Sequence, residues 1–171
     1  MAEIKYEYVA DGLSNGTYVA KQLSFPVLKV KKMREGAILP TKGHNNDAGI
    51  DLYACLDHDY IVISPGETVM FGSGIACEFP EGYWGMVVPR SSVGIKKHLN
   101  IPQGAAVIDE GFVGEIMLAF YNHGDTNQII ENGEKIAQMV LLPYYLYDVV
   151  EVEELHDTER GSGGIGSTGK F

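Results

Sequence analysis

The sequence predicts an all-β sandwich or barrel. Short runs of β-branched and aromatic residues recur along the chain, Gly, Pro, Asn and Asp cluster between them, and no stretch sustains a long helical period. The 21 glycines in 171 residues suit many tight turns and little helix. A chain of this length fits one domain with a sizeable core. Composition divides it into an N-terminal extension over 1–24, a core domain over 25–155 and a Gly-rich arm over 156–171.

The net charge of -10 disfavours non-specific binding to nucleic acid or to an anionic membrane surface. A small anionic substrate would need a local cluster of basic groups or a metal ion. Cys55 and Cys77 have no metal-like spacing and read as free buried thiols in a reducing compartment. No apolar run approaches a membrane span, and the start lacks a signal-peptide core, so a cytoplasmic protein is expected. Asn15-Gly16-Thr17 is read as a turn.

Residues 4–10 and 17–22 alternate around a turn at 11–16 and predict a peripheral hairpin. Residues 25–30 read as the first core strand. A polar loop over 39–46 leads into 47–54, where alternation puts Asp51 and Tyr53 on one face and Leu52 and Ala54 on the other. Strands over 60–63, 68–79 and 83–88 follow, the last ending at Pro89. Next, Arg90-Ser91-Ser92-Val93-Gly94-Ile95-Lys96-Lys97 fits one short helix with Ser91 or Ser92 as its N-cap. An arginine and two hydroxyls at a helix start make a phosphate-shaped environment. The residues alone fit a plain capped helix with a surface arginine equally well.

Residues 104–116 flank a Glu110-Gly111 pair with apolar runs and read as a hairpin in which the glycine supplies a positive-φ turn position. Asp109 then sits at the tip. A carboxylate fixed between strands can orient a water or a sugar hydroxyl, as general-base work requires, although a turn aspartate capping its own backbone is the simpler alternative. Strands over 115–121, 128–130 and 135–142 follow, with Gln138 the single neutral polar residue inside the last. An unpartnered buried amide costs about 1–3 kcal/mol, so Gln138 should face a polar pocket or an interface. Residues 149–155 read as a final acidic strand. The tail from Arg160 cannot supply core. Its Gly164–Lys170 segment imitates a phosphate-binding G-x-x-x-x-G-K loop, but Phe171 replaces the metal-binding hydroxyl and no helix follows.

In order and spacing these segments resemble the homotrimeric dUTP pyrophosphatases, or dUTPases. Five motifs carry the resemblance: Ala48-Gly49-Ile50-Asp51-Leu52, Pro89-Arg90-Ser91-Ser92, residues 104–114, Gly133-Glu134-Lys135-Ile136-Ala137-Gln138-Met139, and residues 160–169. It covers the chain from about residue 27 onward. The resemblance implies a jelly roll, three active sites lying between subunits, and a C-terminal arm from another chain closing each site. It further implies Mg²⁺-assisted hydrolysis of dUTP to dUMP and pyrophosphate by in-line attack of water on the α-phosphorus. Asp109 would hold the deoxyribose 3′-hydroxyl and orient that water. Backbone groups of Gly104, Ala105, Val107 and Ile108 would read the uracil edge, and Phe112 would press on the deoxyribose. Arg90, Ser91, Ser92, Gln138 and Arg160 would hold phosphate oxygens, with Gly166, Ser167, Thr168 and Gly169 from the arm. Asp51 would act through water on a Mg²⁺ held directly by the triphosphate, so no direct protein ligand to the metal is implied.

Two positions depart from the family pattern. Ile165 replaces the phenylalanine that usually stacks on uracil, and Phe112 replaces a tyrosine. Base–aromatic stacking is worth about 1–3 kcal/mol, so an aliphatic lid would hold the base less tightly. A dCTP deaminase-like enzyme is the nearest alternative, but Ala119 stands where that family needs its catalytic glutamate. Zinc deaminase signatures are also missing. A non-catalytic nucleotide-binding regulator is the third reading, and retention of Asp109, Arg90 and Arg160 argues against lost chemistry.

Overall fold

The computed structural model of the chain describes residues 5–10, 18–23, 25–165 and 167. The described elements are almost all strands. β1 (Lys5–Ala10) pairs antiparallel with β2 (Tyr18–Leu23), matching the expected N-terminal hairpin, whose 11–16 turn lies outside the described residues. Then come β3 (Lys29–Lys32), β4 (Gly49–Tyr53), β5 (Tyr60–Ile63), β6 (Thr68–Glu78) and β7 (Tyr83–Pro89). The one helix among the described residues, α1 (Ser91–Lys96), is followed by β8 (Leu99–Asn100), β9 (Ala106–Ile108), β10 (Glu115–Asn122), β11 (Gln128–Glu131) and β12 (Lys135–Pro143).

Two four-stranded sheets form the body, in the orders β3-β6-β10-β8 and β4-β12-β7-β9, and β5 pairs with β11 in a two-stranded sheet. This is the all-β jelly roll the resemblance implied. The two-residue period of a strand explains the core directly. Along β10 the inward positions Ile116, Leu118, Phe120 and Asn122 are buried while Met117 and Tyr121 between them are exposed. Phe120 stacks on Phe71 at 6.1 Å, and Leu52, Ile75, Val87, Ile136 and Met139 pack into the same cluster. Each fully buried side chain of this kind contributes about 1.5–3 kcal/mol. Asn122 is tolerated at 0% exposure because its amide donates to the carbonyls of Ile63 and Thr126, each at 2.8 Å, and accepts from the Gly124 N–H at 2.9 Å.

Four expectations need correction. The first core strand begins at Lys29, later than expected, and Phe25 and Val27 are exposed, because the partner β6 ends at Glu78 and leaves them no strand to pair with. Residues 149–155 form no strand. They run on as exposed, irregular chain that pairs with none of the described strands. The helix is capped by Arg90, whose backbone is extended (φ -66°, ψ 148°), and no side chain makes the capping bond. Pro89 ends β7, so the half-helical position falls one residue before the serines, which become the first helical residues.

The fourth correction concerns residues 104–116, which are not a hairpin. β9 pairs with β7, and β10 pairs with β6 and β8, so the two runs belong to different sheets and the turn between them crosses the sandwich. The Phe112 N–H closes that turn on the Asp109 carbonyl at 3.0 Å. Gly111 does not have a positive φ; the residue that needs one is Gly104 (φ 87°), which turns the chain into β9.

No helix among the described residues is long and apolar enough to cross a membrane. Both thiols are free and buried, Cys55 at 6% and Cys77 at 2% exposure. Burial pushes the Cys77 thiol up to about 11 from its ordinary 9.0. A raised folded-state value favours the neutral thiol, so this contribution to stability is present below pH 9 and is lost as pH rises through 11. At pH 8 the native chain should therefore react sluggishly with a thiol-specific reagent and release both thiols in denaturant. Rapid native labelling of Cys77 would contradict the packing.

Candidate active site

The central strand β12 fixes the first group of candidate residues. Gln138 lies opposite Asp51 on β4 and opposite Val88 on β7. A cavity of about 480 Å³ opens above this row, lined by Asp47, Gly49, Asp51, Arg90, Ser91 and Gln138 among others. Gly49 is required by proximity: a Cβ there would stand 2.6 Å from Gln138 Oε1, so the glycine leaves room for the amide that the sequence placed toward a polar pocket. Three of the sequence motifs thus meet at one cavity.

Electrostatics organise it. Asp51 is only 15% exposed at its side chain, and its two oxygens face two cations, Oδ1 at 2.9 Å from Arg90 Nε and Oδ2 at 2.9 Å from Lys135 Nζ. Arg90 is further held by its Nη1 donating to the Lys135 carbonyl at 3.4 Å. The Lys135 ammonium lies 5.6 Å from the centre of the Tyr53 ring, whose hydroxyl hydrogen-bonds Thr41 Oγ1 at 2.6 Å. The hydrogen bond to Asp51 is the main cause that raises the Lys135 ammonium above its ordinary value. Lys135 was not among the site residues expected from sequence. Its signal was a lone charge opening an otherwise apolar strand, and the register irregularity between Lys135 and Ala137 is what turns it toward Tyr53 and Asp51.

Ser91 lines this cavity, and Ser92 is exposed in the next position of the helix. His44 and Asp47 shape its rim: Asp47 Oδ2 accepts from the His44 backbone N–H at 2.8 Å, which closes the loop over residues 44–47.

The second group surrounds Asp109, at the end of β9. β9 is an edge strand paired only with β7, so its outward-facing N–H and C=O groups over 106–108 have no strand partner within the described chain, while just before it the Gly104 N–H is taken by the Ile101 carbonyl at 2.9 Å. Asp109 and Val107 are exposed, Ala105 is half-buried and Ile108 is buried. Phe112 is 44% exposed and its ring covers Gly114, where an added Cβ would meet it at 2.7 Å. A second cavity, about 580 Å³, lies beside Asp109 against Trp84, Glu110, Tyr144, Tyr145 and Tyr147.

The chain does not bring its two groups together. Ala106 sits in one row with Val87, Met139 and Ile50, three strands across from Ile50; Asp109 lies three residues farther along one way and Asp51 one residue the other way. Strand spacing and rise then put Asp109 on the order of 20 Å from Asp51. The third group is separate again. Arg160 is exposed and bonds the Gly163 carbonyl through Nε at 3.0 Å, and Ile165 and Ser167 are exposed. Gly166, Thr168 and Gly169 lie outside the described residues.

A model of the dUTPase family matches residues 35–169. The chain belongs to the dUTPase family. It is 43% identical over 142 residues to the deoxyuridine 5′-triphosphate nucleotidohydrolase of Clostridioides difficile, which covers 83% of this chain and 97% of that dUTPase. The structure of the Staphylococcus bacteriophage 80alpha dUTPase with dUPNHPP matches with a TM-score of 0.76 at 29% identity, over 84% of this chain and 98% of that one. A mutant dUTPase from phage phi11 of S. aureus, described with a structural Mg(II) ion, matches with a TM-score of 0.69 at 26% identity over 77% and 99%. The β1–β2 hairpin precedes the region that the dUTPase model matches.

Asp51→Asn removes the charge that both cations face. The Lys135 ammonium value should then fall toward the ordinary 10.5. A raised ammonium stabilises the fold below that ordinary value and loses the effect as pH rises through the folded value, so the variant should lose stability most clearly near neutral pH and least in strong alkali. NMR titration of the lysine side-chain signals reads the shift, and an unmoved Lys135 would contradict the pairing.

Proposed function

We propose that this dUTPase-family chain hydrolyses dUTP to dUMP and pyrophosphate, as its relatives' name describes, with the roles that the five motifs imply. The observation that carries the reading is the pair of half-sites: a polar cavity with Arg90, Ser91 and Gln138 around Asp51, and an exposed Asp109 beside an unpaired backbone edge.

The edge over Gly104, Ala105, Val107 and Ile108 offers main-chain donors and acceptors to a uracil, so the base would be read without a dedicated polar side chain. Phe112, half-exposed beside that edge, would press on the deoxyribose. Asp109 would orient the water whose oxygen attacks the α-phosphorus as the bond to the α–β bridging oxygen breaks, releasing pyrophosphate. Arg90, Ser91, Ser92 and Gln138 would hold phosphate oxygens, joined by Arg160, Gly166, Ser167, Thr168 and Gly169 from the arm, while Ile165 covers the base. Positioning and charge neutralisation are the main sources of rate enhancement in such transfers.

Mg²⁺ fits this site in one way. No three His, Cys, Asp or Glu side chains among the described residues gather to hold a metal, and both Asp51 oxygens already face cations. The triphosphate and water would therefore hold the ion, with Asp51 and the nearby Asp47 facing it through water. Bound there, Mg²⁺ would neutralise charge on the phosphate oxygens.

About 20 Å between Asp51 and Asp109 within one chain exceeds what a nucleotide triphosphate clamped at both ends would favour, which supports sites built from different copies. The exposed apolar residues of the C-terminal segment, Tyr145, Leu146, Tyr147, Val149 and Leu155, all above 80% exposure, support the same reading of a homotrimer whose arms cross between subunits. In the same reading, 1–24 is an addition to the core domain over 25–155, and 156–171 is the closing arm.

Incubation with dUTP and Mg²⁺ should release pyrophosphate, and no turnover, or ammonia from dCTP, would overturn the reading. Asp109→Asn should lower kcat by about 10²–10⁴-fold while the nucleotide still binds. Complementation tests the shared site. Arg90→Ala and Asp109→Asn chains, each inactive alone, should recover up to about a quarter of wild-type activity when refolded together, because a quarter of random pairings reunite both intact half-sites. Failure of any mixture to recover activity would place both half-sites' residues in one chain.

A further inference from the structure

We infer that Glu110 is a positioning residue that ties the Asp109 turn to the root of the C-terminal segment; the inference rests on the dUTP hydrolysis proposed above. Glu110 directly follows Asp109 and lines the same cavity, yet unlike Asp109 its carboxylate is engaged. Its Oε2 accepts two hydrogen bonds, from the Gly82 backbone N–H at 2.8 Å and from the Tyr144 hydroxyl at 2.7 Å. The Tyr144 N–H in turn donates to the Gly82 carbonyl at 3.0 Å. Three segments distant in sequence are thereby joined: the turn after β9, the turn between β6 and β7, and the first residue after β12.

That location gives the tie its use. Asp109 is held from behind by the β9–β7 pairing at Ile108, closed by the Phe112 N–H on its carbonyl, and anchored in front by Glu110. No side chain among the described residues bonds its own carboxylate, which stays exposed and available. A general base with a fixed backbone and an unengaged carboxylate is the arrangement that positional catalysis calls for. Tyr144 is where the chain leaves the sheet for the irregular, exposed segment leading to Arg160, so the same contact sets the starting point of the arm. The contact also raises the Tyr144 hydroxyl above its ordinary value, Glu110 being the first cause and burial the second.

Four full-length proteins test the role with dUTP and Mg²⁺. Glu110→Ala should lower kcat about tenfold with KM within about twofold, because misplacing a reacting group by about 1 Å costs up to 10²-fold. Glu110→Gln keeps an acceptor oxygen and should recover kcat to within about threefold of wild type. Tyr144→Phe, which removes one hydroxyl, should lower kcat by a few-fold, and the Glu110→Ala/Tyr144→Phe double variant should be no slower than Glu110→Ala alone, since both act through one contact. Thermal midpoints should stay within about 4 °C of wild type throughout. Unchanged kcat in both Glu110→Ala and Tyr144→Phe, beside an active wild type, would overturn the role of Glu110 alone. So would kcat and midpoint falling together with no recovery in Glu110→Gln. A wild type that releases no pyrophosphate would overturn the functional reading and this role with it.

Discussion

The pairing of β12 with β4 on one side and β7 on the other is the constraint on which the rest of the structure depends. It places Gln138 in one row with Asp51 and Val88, and the irregularity beside Lys135 swings a cation onto the same carboxylate that Arg90 reaches from the end of β7. Asp51 is thus the meeting point of three strands, although it is only partly buried. Burying a carboxylate this far is costly without partners, and each of its oxygens has a cation at 2.9 Å. The ion pairs hold the cavity's shape as much as they supply charge to it, because Arg90 cannot move without leaving Asp51 to a single partner.

The strands of the core were legible because their period is two and their turns are rich in glycine and proline. β10 and β12 could be placed nearly to the residue for that reason. What stayed hidden was pairing. Residues 104–116 have the local composition of a hairpin, and no local signal says that β9 will join β7 while β10 joins β6. Sheet partnership is decided by contacts distant in sequence, such as Gly85 against Ile108. Lys135 was missed for a related reason: a register irregularity depends on the partner strand as well as on the strand itself.

The candidate site was legible through motifs more than through physical pattern. Asp51, Arg90, Ser91 and Gln138 converge on one cavity, and chemistry alone would have grouped an aspartate, an arginine, a hydroxyl and an amide around phosphate. Asp109 stands far from them in the chain, and nothing in a linear sequence distinguishes a site completed by folding from one completed by association. The C-terminal segment has the local pattern of a strand because Val149, Val150 and Val152 carry β-forming side chains, yet within the described chain it pairs with no sheet, and propensity alone does not supply a partner.

The turn over 109–112 belongs to neither sheet. It leaves one layer at Ile108 and enters the other at Glu115, so its position is fixed by how the two layers sit on each other. In mechanical terms Asp109 is mounted across a joint, and the stiffness of that joint comes from side chains such as Phe120, Leu118 and Val87 that lie between the layers. Protein interiors are packed as densely as organic crystals and compress little. A core residue with no access to the nucleotide therefore helps set how accurately the carboxylate is held, and substitutions deep in the sandwich would act on rate as well as on stability.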